Sequence, residues 1–221
     1  MSAILSGIDE AGRGPVIGPL VLACVSLDAE GVETLRDLGV RDSKKMTALR
    51  RRKLEPEIKN ISLEWSIAKI SASDIDRLRK RMSLNVIEAV KTAELIIALK
   101  KRPTTIYIDA TDSIAEDYQK KIVAHLNKLN PAYEIPQLVC EHKADDTYIP
   151  TSAASVIAKV ERDRDIEALQ RVYGDIGSGY PSDELTQKFI RRLLKDGPLP
   201  PFVRRSWETV NKSKQSSLSD F

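Results

Sequence analysis

The sequence predicts an α/β protein with a mixed sheet flanked by helices, and three observations predict it. Apolar runs with strand character come first as a group, at Ala3 to Ile8, Leu20 to Leu27 and Leu63 to Ile70. Two further strand-like runs, Thr104 to Ile108 and a stretch near Gln137 to Cys140, then alternate with helical patterns. The longest helical pattern starts near Thr151 or Ser152, runs to about Val172 and carries a small-residue face of Ala153, Ala154 and Ala158. Strands in a meander followed by strands alternating with helices imply a mixed sheet with helices on its faces.

Each element has its own warrant. Short turns between the first three strands suggest an antiparallel start. Ser83 to Lys101 repeats apolar residues at helical spacing, with Ile87, Val90 and Ile97 among them, and Pro103 stops the pattern. Thr104 to Ile108 is a β-branched strand. Tyr118, Ile122, Leu126 and Leu129 recur at helical spacing before the fifth strand. From Asp183 the character changes: Leu185, Phe189, Ile190, Leu193 and Leu194 form an apolar stripe on a basic helix that Gly197 and Pro198 end. Pro198, Pro200 and Pro201 make a stiff link to a segment around Trp207, and Asn211 to Ser217 is polar enough for a loose tail. The expected organisation is a catalytic domain over residues 1–182, a helical extension over 183–210 and a flexible tail over 211–221.

With 221 residues, 42% of them hydrophobic, the chain can bury one main core. The net charge is only +3, but it is segregated: Arg41 to Lys53 and Thr186 to Lys214 each carry +6, and the remainder is net negative. Such a chain suits a protein that touches a polyanion in places and binds cations elsewhere. Cys24 and Cys140 lie in apolar runs without CxxC spacing, which speaks against disulfide or zinc and for small buried hydrophobes. The longest apolar run, Val16 to Leu27, is broken by Gly18 and Pro19 and falls short of the ~20 residues that span a bilayer. The N-terminus has no basic n-region or small-residue cleavage site, so a cytoplasmic location is expected.

Three apolar strands end in acid: Ile8-Asp9-Glu10, Ile108-Asp109, and Cys140-Glu141 running on to Asp145. A carboxylate presented by a hydrophobic strand loses hydration and is repelled by its fellows, so several at one sheet edge call for cations. Two divalent ions would balance four carboxylates. Such ions ~3.5–4 Å apart clamp the attacking water and leaving oxygen of an in-line phosphodiester displacement. Asp112 and Asp146 stay open as alternatives at two of these strand ends. Consecutive strand residues point to opposite faces, so Asp9 and Glu10 share a site only if the backbone leaves β geometry there, which Gly12 makes cheap. The turn Gly12-Arg13-Gly14 that follows brings backbone N–H groups and a forked cation to a phosphate-rich ligand. His125 and His142 are the only histidines, and no nucleophile elbow accompanies them. Gly12 to Gly18 lacks the Lys and Ser/Thr of a Walker loop, and Pro15 departs from the dinucleotide fingerprint.

Taken together, six segments resemble the ribonuclease HII family, also called type 2 ribonuclease H, with an archaeal-looking tail. They are Gly7 to Pro19 (GIDEAGRGPVIGP), Asp42 to Lys45 (DSKK), Tyr107 to Asp109 (YID), His142 to Asp145 (HKAD), Ser152 to Arg162 (SAASVIAKVER) and Gly177 to Asp183 (GSGYPSD). The resemblance runs nearly end to end. It implies a ribonuclease H-like fold with a five-stranded mixed sheet and a C-terminal helical extension. It implies a monomeric endonuclease that cuts the RNA strand of RNA/DNA hybrids and cuts 5′ of single ribonucleotides embedded in duplex DNA. The expected products carry 3′-OH and 5′-phosphate ends.

The same resemblance makes Asp9, Glu10, Asp109 and Asp145 the catalytic carboxylates that bind two ions of Mg2+ or Mn2+. It selects Asp109 over Asp112 and Asp145 over Asp146. Gly12, Arg13 and Gly14 are expected to contact the ribose 2′-OH, the group that tells RNA from DNA, and Tyr180 to stack on the sugar at the RNA-to-DNA junction. Lys44, Lys45 and Lys143 are expected phosphate contacts, with Arg162 and Arg164 behind them.

Gln215, Leu218 and Phe221 place a glutamine, an aliphatic and an aromatic residue at intervals of three on the polar tail. Leu218 and Phe221 fall on one face of a helical turn, and the pattern resembles the sliding-clamp-binding peptide of replication proteins. Two alternatives stand beside the main one. The first is a relative of the same fold that cuts DNA or resolves junctions, against which Gly12 to Gly14 and Tyr180 argue. The second is a non-catalytic nucleic-acid-binding protein associated with the clamp, which would gain nothing from four carboxylates facing phosphate.

Overall fold

The computed structural model describes residues 3–40, 46–208 and 210. Five strands form one sheet: β1 (Leu5–Ala11), β2 (Leu20–Leu27), β3 (Glu64–Ile70), β4 (Thr105–Asp109) and β5 (Gln137–Glu141), in the order β3-β2-β1-β4-β5. β1 runs antiparallel to β2 and parallel to β4, and β4 runs parallel to β5, so the sheet is mixed as the sequence predicts. Parallel neighbours need long crossovers. These are supplied by α4 (Leu84–Ile97) and α5 (Ala115–Leu129). β2 is buried along all eight residues, which its unbroken apolar run anticipates.

The connection from β2 to β3 differs from the short turn the sequence suggests. It holds α1 (Ala29–Asp37) and α2 (Ala48–Ile61), and α3 (Ala72–Leu78) follows β3. Their signals are local and brief: Asp28, Thr47 and Ser71 each cap a helix by accepting a backbone N–H three residues on. Four bases in a row and Pro56 mask the apolar period of α2, whose helix is secured by burying Leu54 and Ile58. β1 also outruns its expected end at Ile8. Its ladder with β2 continues through Asp9↔Ala23, Glu10↔Leu22 and Ala11↔Val21.

Two compact units divide the chain. Of the described residues, the first holds 3–11, 21–40, 46–68 and 83–160. In its core Val21, Ala23, Val25 and Leu27 of β2 meet Val32, Leu35, Leu54 and Ile58, together with Ala153, Ala154 and Ala158 of α7 (Ile149–Tyr173). The small-residue face is what lets α7 come close. A Cβ on Gly7 would lie 2.1 Å from the backbone of Pro150 and Thr151, so only glycine admits the start of this helix against β1. Tyr107 stacks on Tyr148 at 3.9 Å beside the same helix start, a contact worth ~1 kcal/mol beyond its area. Cys24 and Cys140 are buried free thiols, each pushed up to about 12 by burial, and behave as the small hydrophobes expected.

Of the described residues, the second unit holds 12–20, 69–82, 161–208 and 210. α8 (Glu184–Asp196) turns Phe189 and Ile190 into a cluster with Val16, Ile17, Ile166 and Val203. The helical extension expected over 183–210 thus shares a core with the segment that follows β1. Among the described residues no helix is long and apolar enough to cross a membrane.

Candidate active site

The first unit gathers acids at the C-terminal ends of β1 and β4 and just beyond β5. Asp9 is buried at 4% exposure, on the face of β1 that Gly7 and Ala11 share, and both Asp9 and Asp109 directly follow the last β1–β4 pair, Ile8↔Ile108. Past β5 the chain turns at Lys143, which adopts a left-handed φ of 60°, and enters the single helical turn α6 (Ala144–Thr147). That turn delivers Asp145 at 1% exposure, while Ala144 N–H donates to Asp109 Oδ1 at 2.9 Å.

Asp9 feels the charges of the other two aspartates. The Asp9 carboxyl is pushed up to about 7, first by burial and then by the negative charges of Asp109 and Asp145. Two residues of α7 oppose the shift, Ser155 by a hydrogen bond and Lys159 by its charge. Lys159 Nζ in turn donates to Ser155 Oγ at 2.8 Å. The sequence reading passed over both. Their i,i+4 spacing on a helix otherwise faced with alanine was the available signal, and it becomes informative only once that face is known to lie on β1.

An all-oxygen set fits a hard divalent cation, and an anion as disfavoured as Asp9 is one a cation would stabilise. Among the described residues, however, no group of three or more His, Cys, Asp and Glu side chains is drawn together as a finished metal cage. Like charges resist that approach. Asp112 is not among the interacting acids: it is buried and bound to Lys121 Nζ at 2.5 Å. Asp146 is exposed.

Glu10 departs from the geometry expected of it. Because β1 stays extended through Ala11, Asp9 and Glu10 point to opposite faces, and the backbone leaves β geometry only at Gly12, with φ +87°. The Glu10 charge reaches buried Tyr118 of α5, and its N–H is held by Asp9 Oδ1 at 2.7 Å. The β1–β4 ladder ends at Ile8↔Ile108, two residues before Glu10.

The second unit brings Gly12, Gly14 and Tyr180 together. A Cβ on Gly14 would touch the Tyr180 ring at 3.6 Å, and one on Gly12 would strike Arg162 Cδ at 2.6 Å. Tyr180 is 41% exposed, and the Arg162 guanidinium lies 5.2 Å from its ring centre. Arg162 is itself buried and donates to Ser178 O at 3.1 Å, so it supports the tyrosine and is no surface phosphate contact. Arg164 is spent on Glu161 at 2.7 Å. Asp183 ties the turn down: its carboxyl accepts from Ser178 and caps α8 through Leu185 N–H, bonds that hold it down at about 2. The Gly179 carbonyl accepts from Val16 N–H at 2.7 Å, joining this turn to the segment after Gly14.

Of the expected phosphate contacts, Lys143 is exposed at the turn before Asp145. Lys44, Lys45, Gln215, Leu218 and Phe221 lie outside the described residues.

Comparison with known proteins agrees with this architecture. Residues 6–210 match the family model for Ribonuclease HII. The Ribonuclease HII of Methanothermobacter thermautotrophicus is 47% identical over 213 residues, covering 95% of this chain and 98% of the relative. Among solved structures, the ribonuclease H2 of Pyrococcus horikoshii OT3 superposes with a TM-score of 0.87 at 41% identity, covering 96% of this chain and 98% of the other. The ribonuclease HII solved in complex with PCNA from Archaeoglobus fulgidus gives 0.85 at 40% identity, covering 98% and 100%. The match spans the acids, the glycine turn and the tyrosine alike. The chain belongs to the ribonuclease HII family and is a ribonuclease H, an enzyme that acts on RNA/DNA hybrids.

Proposed function

We propose that Asp9, Glu10, Asp109 and Asp145 hold two divalent ions, Mg2+ or Mn2+, and that the chain cuts the RNA strand of hybrids and cuts 5′ of single ribonucleotides in duplex DNA. The ends left are 3′-OH and 5′-phosphate. The observation that carries this reading is that buried Asp9 lies near enough to Asp109 and Asp145, acids from two other elements, to feel both their charges. Ribonucleases H use divalent metal ions, and this oxygen-only set suits them. Bound ions would supply Lewis-acid activation of water and neutralise charge on the leaving oxygen.

The chain's own residues do the rest. Asp109, fixed by Ala144 N–H, and Asp145, carried on the next residue, supply oxygen donors in a set relation. Lys159 and Ser155 keep Asp9 closer to its ionised form than burial alone allows. Glu10 joins from beyond the last β1–β4 pair, Ile8↔Ile108, rather than through the shared face the sequence suggested. Gly12, Arg13 and Gly14, which begin one residue after that strand, contact the ribose 2′-OH. Tyr180 offers its exposed ring to the adjoining sugar, and Lys44, Lys45 and Lys143 take up phosphates as point charges. We assign catalysis to residues 1–182 and support of the substrate turn to the 183–210 extension.

The relative from Archaeoglobus fulgidus was solved bound to PCNA, which supports a sliding clamp as partner of Gln215, Leu218 and Phe221. Deleting residues 215–221 should abolish co-elution with the clamp; unchanged co-elution overturns that assignment. The central test is cleavage of duplex DNA with one embedded ribonucleotide, with and without divalent metal. Metal-dependent incision 5′ of the ribonucleotide is the expected result, and incision elsewhere, or none, refutes the reading.

A further inference from the structure

We infer that Arg204, assisted by Trp207, is a positioning residue that orients the two backbone amides through which the Gly12–Gly14 turn distinguishes ribose from deoxyribose. This rests on the reading that the turn contacts the 2′-OH. Neither Arg204 nor Trp207 belongs to the segments that carry the family resemblance.

Arg204 is fully buried, and its guanidinium donates to three carbonyls. Nε binds Gly18 O at 3.0 Å, Nη1 binds Arg13 O at 3.0 Å and Nη2 binds Gly12 O. Trp207 Nε1 donates to Gly14 O at 3.0 Å, and the indole ring lies 4.8 Å from the Arg204 guanidinium. Burying a cation is costly unless its donors are matched, and the rigid fork of arginine fits several carbonyls at once where a lysine could not. The arrangement therefore turns four carbonyls inward.

The consequence follows from peptide planarity. In a trans peptide the N–H points away from the C=O of the same plane, and no cis peptide occurs among the described residues. With the carbonyls of Gly12 and Arg13 drawn onto Arg204, the N–H groups of Arg13 and Gly14 are turned the other way. The other two carbonyls precede Pro15 and Pro19, which have no N–H to present. Four inward carbonyls thus yield two outward donors on adjacent residues. Two N–H donors suit the oxygen of a 2′-OH, which deoxyribose lacks. Gly12 tolerates the required φ of +87°, where any side chain would be strained and would strike Arg162.

The test uses the full-length protein, metal-free to prevent turnover, with two duplexes identical except for one internal ribonucleotide. Arg204→Lys should lower the ribonucleotide-over-DNA affinity ratio by about tenfold, on the scale of one or two hydrogen bonds to a hydroxyl. Affinity for the all-DNA duplex should stay unchanged, which a merely structural role would not produce. Trp207→Phe removes one indole donor and keeps the ring, so it should give a smaller loss in the same direction. A folded Arg204→Lys with the wild-type ratio overturns the inference, as does equal loss on both duplexes. If Arg204→Lys does not fold, an unchanged ratio in Trp207→Phe overturns it. Should the wild type bind both duplexes equally, the hydroxyl-reading turn itself fails, independently of Arg204.

Discussion

Ala144 N–H donates to Asp109 Oδ1 at 2.9 Å, and the residue that follows Ala144 is Asp145. One backbone bond therefore sets two acids from different elements in fixed relation.

That relation makes Asp109→Asn a clean probe. The amide keeps an oxygen for Ala144 N–H and removes one negative charge from beside Asp9. Cleavage of an RNA/DNA hybrid should fall about a thousandfold, the scale of a lost metal-ligand charge, while the melting temperature of the metal-free protein holds or rises. Wild-type activity in this variant would refute the metal assignment of Asp109.

Stability of the metal-free protein should depend on pH through Asp9. Its carboxyl rises from 3.8 to about 7 on folding, so the folded state binds more protons than the unfolded state between those values. Stability is then fully present below about 4, declines as pH rises through about 7 and levels off above it. Thermal melts from pH 4 to 8 should trace that decline, roughly a few kcal/mol in depth. Asp9→Asn should flatten it, and added Mg2+ or Mn2+ should restore stability at pH 8 in the wild type alone.

Lys159 opposes the upward shift of Asp9, and removing it releases that shift. Lys159→Met should move the acidic limb of the pH–rate profile to higher pH, whereas Lys159→Arg should leave it near the wild-type position. An unmoved limb in Lys159→Met would mean that the cation does not bear on the reacting acids.

Lys143 is the one non-glycine residue with positive φ among those described, at 60°. Lys143→Gly should relieve that strain and stabilise the fold by about 1 kcal/mol, measured by denaturant unfolding. It should also weaken duplex binding and reduce the slope of log affinity against log salt by about one, as loss of a single phosphate contact requires. An unchanged slope would remove Lys143 from the binding surface.

Sequence alone determined the strand count, the family segments and which acids to inspect, because these follow from local patterns: apolar runs ending in carboxylates, and glycines where a chain must turn. It missed α1, α2 and α3, whose short charged stretches become helical by burying residues such as Leu35 and Ile58 against distant strands. It also misjudged how Glu10 is presented, since the ladder to β2 holds β1 extended three residues longer than local composition suggests. Ser155, Lys159 and Arg204 were illegible for one shared reason. Each matters through a partner distant in the chain, Arg204 meeting carbonyls 186 to 192 residues away. A side chain's chemistry is written in its own position, but the acid whose charge it steadies or the carbonyl it turns is chosen by packing, and that choice belongs to the tertiary structure.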